Sequence, residues 1–368
     1  MINNRKLIVD THCEIYDFLK TDADDIFWNF QQHVESGKLV DDAIYVIGRR
    51  QMELSSRLVR ELVEKNSIKV IFSSPSEGSD TMRGHCLKYN IFDLANNHKI
   101  LLVAGGNMES TYRYLYYENF LPKIFDYEEN VVAASRIGEI FDKHEKPYKF
   151  LFLNGRRRHH RKYLLKHLLD NGLLDQALWS NLDHQSEIPV HFLPNKYEVD
   201  RYRNQLDQPL TLDRDLAAKQ HLFRHEWGEV YINVDACIDS YFSLVTETVF
   251  DYPYSFRTEK IWKPVAMGHP WIVASNQGYY RDMHDLGFQT FGHVIDESFD
   301  QIENNQDRLN RIGQVVEDLC QQDLVSFLKE CYNVCKYNQQ HLAEMRIKVR
   351  QDFPEQFHQF VKKYYLDE

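Results

Sequence analysis

Short, nearly unbroken apolar runs punctuate the first part of the chain: residues 6–10 (KLIVD), 43–47 (AIYVI), 68–72 (IKVIF) and 100–104 (ILLVA). Between the second and third, residues 51–65 (QMELSSRLVRELVEK) place Met52, Leu58 and Leu62 at helical spacing, and residues 131–143 read as a further helix. Gly105-Gly106-Asn107 ends the fourth run on a turn signal. A parallel strand buried on both faces reads as a continuous apolar stretch, because helices cover both sides of its sheet. Strand–helix alternation therefore predicts an α/β layered unit.

The rhythm restarts at residues 148–153 (YKFLFL), followed by a polar turn and an amphipathic helix over 160–174. Strands are expected at 230–234 (VYINV), 243–248 (SLVTET) and 271–274 (WIVA), with a helix over 258–267 between the last two. Beyond residue 300 the pattern turns helical, with Leu309, Ile312, Val316, Leu319, Leu324 and Leu328 on one stripe. Residues 353–365 (FPEQFHQFVKKYY) form an amphipathic end, with Phe353, Phe357, Phe360 and Tyr364 in register. The division predicted is 1–146 as a first α/β domain, 147–345 as a second, and 346–368 as a C-terminal helix. That helix either packs back on the first domain or docks a partner.

Charge narrows the choice of partners. With 44 basic and 55 acidic residues the net charge is −11, which argues against a chain wrapped on nucleic acid or spread on an anionic membrane. Cys13, Cys86, Cys237, Cys320, Cys331 and Cys335 show neither CxxC spacing nor short-range pairing with histidine, so no zinc or redox motif is signalled. Reduced thiols, no signal-peptide pattern and no apolar run long enough for a bilayer lead us to expect a soluble, cytoplasmic protein without an integral membrane segment. Cys331 and Cys335, four apart on an apolar stripe, read as packing. Aromatic residues make up 13%, a level that suits sugar- or base-binding clefts and equally a Tyr/Phe-heavy core.

Two stretches can carry chemistry. In residues 247–276, Thr258 is placed to cap a helix whose amino-terminal N–H groups favour an anion such as a diphosphate. Arg257 and Lys260 add charge at that end, where cations are unfavourable unless an anion is bound, and Glu259 suits ribose hydroxyls. A capped surface helix would show the same letters. Residues 154–162 (NGRRRHHRK) follow a strand and precede a helix; at the carboxyl end of a strand, the arginines Arg156, Arg158 and Arg161 can reach a phosphate. A nucleic-acid or nuclear-import patch has a similar composition.

Together these stretches resemble the nucleotide-sugar-binding domain of the alpha-1,3-fucosyltransferase family, over residues 148–300. Phe152-Leu153-Asn154 resembles the family's strand end, Arg161 falls one position beyond its arginine, Glu247 resembles its loop glutamate, and Thr258-Glu259-Lys260 followed by His269-Pro270-Trp271-Ile272-Val273 resembles its helix start and next strand. Residues 287–291 (GFQTF) and 296–300 (DESFD) also resemble segments of viral and bacterial glycosyltransferase-like proteins. The resemblance implies two Rossmann-like domains facing across a cleft, the GT-B arrangement. It implies an inverting transferase that moves a sugar from a nucleotide diphosphate sugar, GDP-linked by preference, to a glycan or other hydroxyl acceptor, with no required cofactor or metal. Asn154, Arg156, Arg158, Arg161, Arg257, Thr258 and Lys260 would hold the donor, with Glu259 on the ribose and Glu247 on the sugar or ribose. Asp213-Arg214-Asp215 matches a metal-binding motif in letters but reads as a charged loop.

The sequence departs from the family at the general base. Where the family presents a Glu before a Pro, this chain has Ser73-Ser74-Pro75. Glu77, His12 and Glu14 are the remaining candidates, and Glu77 equally suits a solvated turn. The departure leaves open a non-catalytic nucleotide-sugar or glycan-binding protein.

Overall fold

Ten strands divide between two all-parallel sheets in the computed structural model, which describes residues 5–106, 111–155, 157–183, 187–191, 193, 194, 197 and 232–366. The first unit comprises Met1–Pro122 and Arg346–Glu368, the second Lys123–Met345. The α/β expectation holds for each.

In the first unit β1 (Leu7–Asp10), β2 (Asp25–Phe27), β3 (Ala43–Gly48), β4 (Ile68–Ser74), β5 (Ile100–Ala104) and β6 (Tyr114–Tyr116) take the order β2-β1-β3-β4-β5-β6. Alternate residues of the same strands enter two cores. Tyr45, Ile47, Val70 and Phe72 meet Met52, Val59 and Val63 of the helix Arg49–Glu64 on one face. On the other, Val9, Val46, Ile71 and Val103 meet Phe353, Phe357 and Val361 near the chain's end. Those aromatics sit on a single helix, Leu324–Val361, which passes from the second unit into the first at Arg346.

The second unit contains β7 (Tyr148–Asn154), β8 (Ala177–Asn181), β9 (Ser240–Thr246) and β10 (Trp271–Ala274), ordered β10-β9-β7-β8. It begins before β7, because the helices Glu128–Ser135 and Ile137–Asp142 pack on its helices Glu259–Met267 and Val234–Ile238. The restart near residue 147 thus marks the sheet and not the start of the unit. Of the strand expected at 230–234, residues 230 and 231 lie outside the described residues and residues 232–234 are not extended into a sheet: Asn233 accepts a hydrogen bond from Ala236 N and caps the helix Val234–Ile238. The helix expected over 160–174 is His159–Asp170, stopped at Gly172, whose positive φ of 67° follows the last turn. Gly268 ends Glu259–Met267 in the same way, and a Cβ there would lie 2.1 Å from Ile137 Cδ1.

Residues 287–291 and 296–300 form a packing knot. Glu297 accepts from Thr290 Oγ1 (2.8 Å) and Phe291 N (2.7 Å), and Asp300 accepts from Tyr280 N (3.1 Å). Burial pushes the Glu297 carboxyl up to about 7. Its native value exceeds the unfolded one, so its favourable contribution is full at low pH and is lost as pH rises to about 7. Glu297→Gln keeps an acceptor for Phe291 N and a donor for Thr290 without ionising. Its melting temperature is expected to exceed wild type at pH 8 and converge toward it near pH 5; an equal offset at both would exclude the titration.

Candidate functional site

In each sheet the chain leaves one strand to either side, which opens a crevice at the carboxyl ends of the flanking strands. In the second unit this point lies between β7 and β9. Asn154 ends β7 and is 3% exposed; its Oδ1 accepts from Thr246 Oγ1 on β9 (3.1 Å), and its Nδ2 has no hydrogen-bond partner among the described residues. Helix His159–Asp170 starts soon after, and its N-cap residue Arg158 makes no side-chain cap among the described residues. Arg157, Arg158, Arg161 and Lys162, with one carboxylate, Asp183, line a depression that Asn154 also borders.

These cations also hold the loop after β9. Arg161 is buried and donates to Thr246 O (3.1 Å) and Glu247 O (3.2 Å), while the exposed Arg158 donates to Thr248 O (3.2 Å). His160 Nε2 donates to Glu247 O at 2.8 Å, and burial drives its imidazole down to about 3, so the ring is neutral. Phe250 stacks on His160, centroids 5.2 Å apart, and lies 4.5 Å from the Arg308 guanidinium. Arg308, 2% exposed, donates to the carbonyls of Phe250 and Ser275 and so fixes the aromatic loop from behind. Sequence reasoning placed Arg158 and Arg161 here but missed His160 and Arg308. His160 was hidden in a basic run that reads as solvated, and Arg308 in a polar helix start with no local signal.

The Thr258-Glu259-Lys260 group lies at the other side of the same loop. Thr258 caps Glu259–Met267 as expected, its side chain accepting from Lys260 N. The Lys260 ammonium donates to Glu259 (2.5 Å), Thr248 Oγ1 (3.2 Å) and Thr258 Oγ1 (3.2 Å). Burial raises the Glu259 carboxyl, but Lys260 and Lys263 more than offset this and hold it below the usual range. Glu247, assigned by resemblance to the sugar or ribose, has no exposed surface. It accepts from Thr258 N (3.1 Å), Thr258 Oγ1 (2.6 Å), Tyr279 OH (3.2 Å) and Thr248 N (3.2 Å), and burial raises its carboxyl. Such a group positions the loop and cap. Arg257 is buried just before the cap, and Arg156 and residues 213–215 lie outside the described residues.

The first sheet turns between β1 and β3. Asp10, fully buried at the end of β1, accepts from Gly48 N (3.0 Å) at the end of β3 and from His12 N (2.9 Å). A Cβ at Gly48 would come within 3.0 Å of both Asp10 Oδ2 and Cys13 Cα, so the close approach favours glycine. His12 Nδ1 stands 3.6 Å from Asp10 Oδ1, with the His12 side chain 39% exposed. Burial raises the Asp10 carboxyl against the hydrogen bonds that lower it. The other two base candidates are committed: Glu14 accepts from Ser76 N (2.8 Å) and Oγ (2.6 Å), and Glu77 pairs with Arg49 (2.7 Å).

All six cysteines are buried and unbridged. Among the described residues no group of three or more His, Cys, Asp or Glu is placed to hold a metal ion, and no helix is long and apolar enough to cross a membrane. Neither protein-family models, nor curated proteins, nor solved structures yield a match to this chain.

Proposed function

We propose that the chain is a glycosyltransferase of GT-B type, inverting and without a metal requirement, which transfers a sugar from a nucleotide diphosphate sugar, GDP-linked by preference, to a hydroxyl acceptor. One observation carries this reading. At the β7–β9 switch point an uncapped helix start, the Asn154 amide and the cations Arg157, Arg158, Arg161 and Lys162 border one depression. Uncapped N–H groups and a guanidinium fork are the chemistry that binds a diphosphate. In this reading Arg158, Arg161 and Lys260 balance charge on the leaving diphosphate, Glu259 takes the ribose, and Glu247 sets the loop that carries them. His12 removes the acceptor proton, oriented by Asp10.

Commitment of Glu14 to Ser76 and Glu77 to Arg49 favours the alternative of a binding protein without turnover. Assays with a panel of nucleotide sugars separate the two, since only the enzyme transfers or hydrolyses. Calorimetry with GDP and UDP tests the shared premise. Arg161→Ala and Lys260→Ala are each expected to weaken the preferred nucleotide by about 1.5–3 kcal/mol, the range of a charge-assisted contact. Unchanged affinity in both variants overturns the site.

A further inference from the structure

We propose a second anion site, in the first unit at the amino-terminal edge of its sheet, which binds a small molecule carrying two or more linked phosphates. A cavity of about 430 Å³ opens there, within the range of small-molecule sites. Arg5, Lys69, His98, Lys99 and Arg113 line it, and among the described residues no carboxylate does. On a chain of net charge −11, five basic side chains around one hollow, with no acid beside them among the described residues, run against the overall balance. Like charges gathered so closely repel one another and raise the local anion concentration.

Strand and turn placement brings them together. Lys69 is the second residue of β4 and Lys99 immediately precedes β5, so parallel pairing of the two strands sets both lysines at one edge. The turns that enter these strands pass through Asn66 (φ 55°) and His98 (φ 63°), and both residues line the cavity. Tyr365 forms a fixed wall, its hydroxyl donating to Val70 O at 2.5 Å. Aromatic faces are what the cations meet: the Arg113 guanidinium lies 4.8 Å from the Tyr364 centroid and the Lys69 ammonium 5.9 Å from that of Tyr365. Arg5 is already paired with Asp42 at 2.9 Å. Lys69 and Lys99 have no carboxylate partner among the described residues, and they carry the argument. Two ammonium groups with a guanidinium nearby match the spaced charges of linked phosphates, which Arg can grip through two N–H bonds at once. A pair of bare lysines offers less to a single carboxylate.

The site is independent of the proposed donor site, and its test keeps the two apart. Tripolyphosphate is titrated calorimetrically into wild type, Lys260→Ala and Lys69→Ser/Lys99→Ser. One saturable event should persist in Lys260→Ala and weaken about tenfold or more in the double variant, the loss of two charge-assisted contacts. The unliganded double variant should melt within about two degrees of wild type, since Lys99 is exposed, Lys69 is half-buried, and substitutions outside the core have small effects on stability. Four outcomes overturn the proposal: no saturable binding; equal affinity in the double variant; equal competition by sulfate at matched ionic strength, which marks a diffuse ion atmosphere; or tighter binding of a single-stranded RNA oligonucleotide than of tripolyphosphate.

Discussion

Glu247→Ala is expected to melt the second unit well below wild type. The carboxylate is fully buried and accepts from two backbone N–H groups and two hydroxyls: Thr248 N, Thr258 N, Thr258 Oγ1 and Tyr279 OH. Alanine removes all four acceptor contacts and leaves the two N–H groups without a partner in a dry interior. The hydroxyls can rotate toward other acceptors, and release of a buried carboxyl held above its usual range offsets part of the loss. At about 1–3 kcal/mol for each stranded donor, a net cost of about 3 kcal/mol is reasonable. For a unit of this size that corresponds to a melting temperature lowered by roughly 6–12 °C. Glu247→Gln should fall between, because each carboxylate oxygen accepts from one backbone N–H and one hydroxyl, so the amide oxygen keeps one such pair while the amide nitrogen faces the other N–H, of Thr258 or Thr248. Calorimetric melting reads all three proteins. An alanine variant within a degree of wild type would show that Thr258 and its helix are held by something else. The effect also reaches the proposed donor site, since Thr258 caps the helix on which Glu259 and Lys260 lie.

Most of this frame is legible in the sequence, and the parts that are not share a physical cause. β1, β3, β4, β5, β7 and β10 announce themselves because a parallel strand covered by helices reads as a nearly continuous apolar run. β2 (DIF) and β6 (YLY) are three-residue edge strands whose pairing comes from their neighbours, so no local pattern marks them. The run VYINV looks like a strand until Asn233 is recognised as a cap, a choice decided by tertiary packing of Val234–Ile238. At the site, Arg158, Arg161, Thr258, Glu259 and Lys260 were visible because strand-to-helix junctions carry their own punctuation. Their commitments were not visible. That Arg161 holds the carbonyls of Thr246 and Glu247, or that Lys260 folds onto Glu259, depends on contacts that sequence order does not encode. Asp10 was missed for the same reason: its partner Gly48 lies 38 positions away and meets it only because β1 and β3 are neighbours.

That adjacency underlies the second large effect. If the chain is a transferase, His12→Ala should lower kcat by about 10²–10⁴, the usual contribution of a general base, with little change in nucleotide affinity. Of the three base candidates His12 is held most loosely: its Nδ1 stands 3.5 Å from Thr11 Oγ1, whereas Glu14 bonds Ser76 twice and Glu77 pairs with Arg49 at 2.7 Å. Behind the imidazole stands Asp10, without exposed surface and fixed by the N–H groups of Gly48 and His12. The carboxylate stands 3.6 Å from Nδ1, so it faces that ring nitrogen and leaves Nε2 as the one that takes the proton in the proposed reaction. Asp10→Asn removes that charge and turns an amide nitrogen toward the N–H of Gly48 or His12, so the melting temperature should fall in any case; the kcat of the folded fraction should fall with it while KM for the donor stays near wild type, whereas a purely structural role would leave the kcat of the folded fraction unchanged. Glu14→Gln and Glu77→Gln serve as counter-tests. Loss of turnover in either of them, with His12→Ala still active, would move the base to that carboxylate and reduce Asp10 to a brace between two strands.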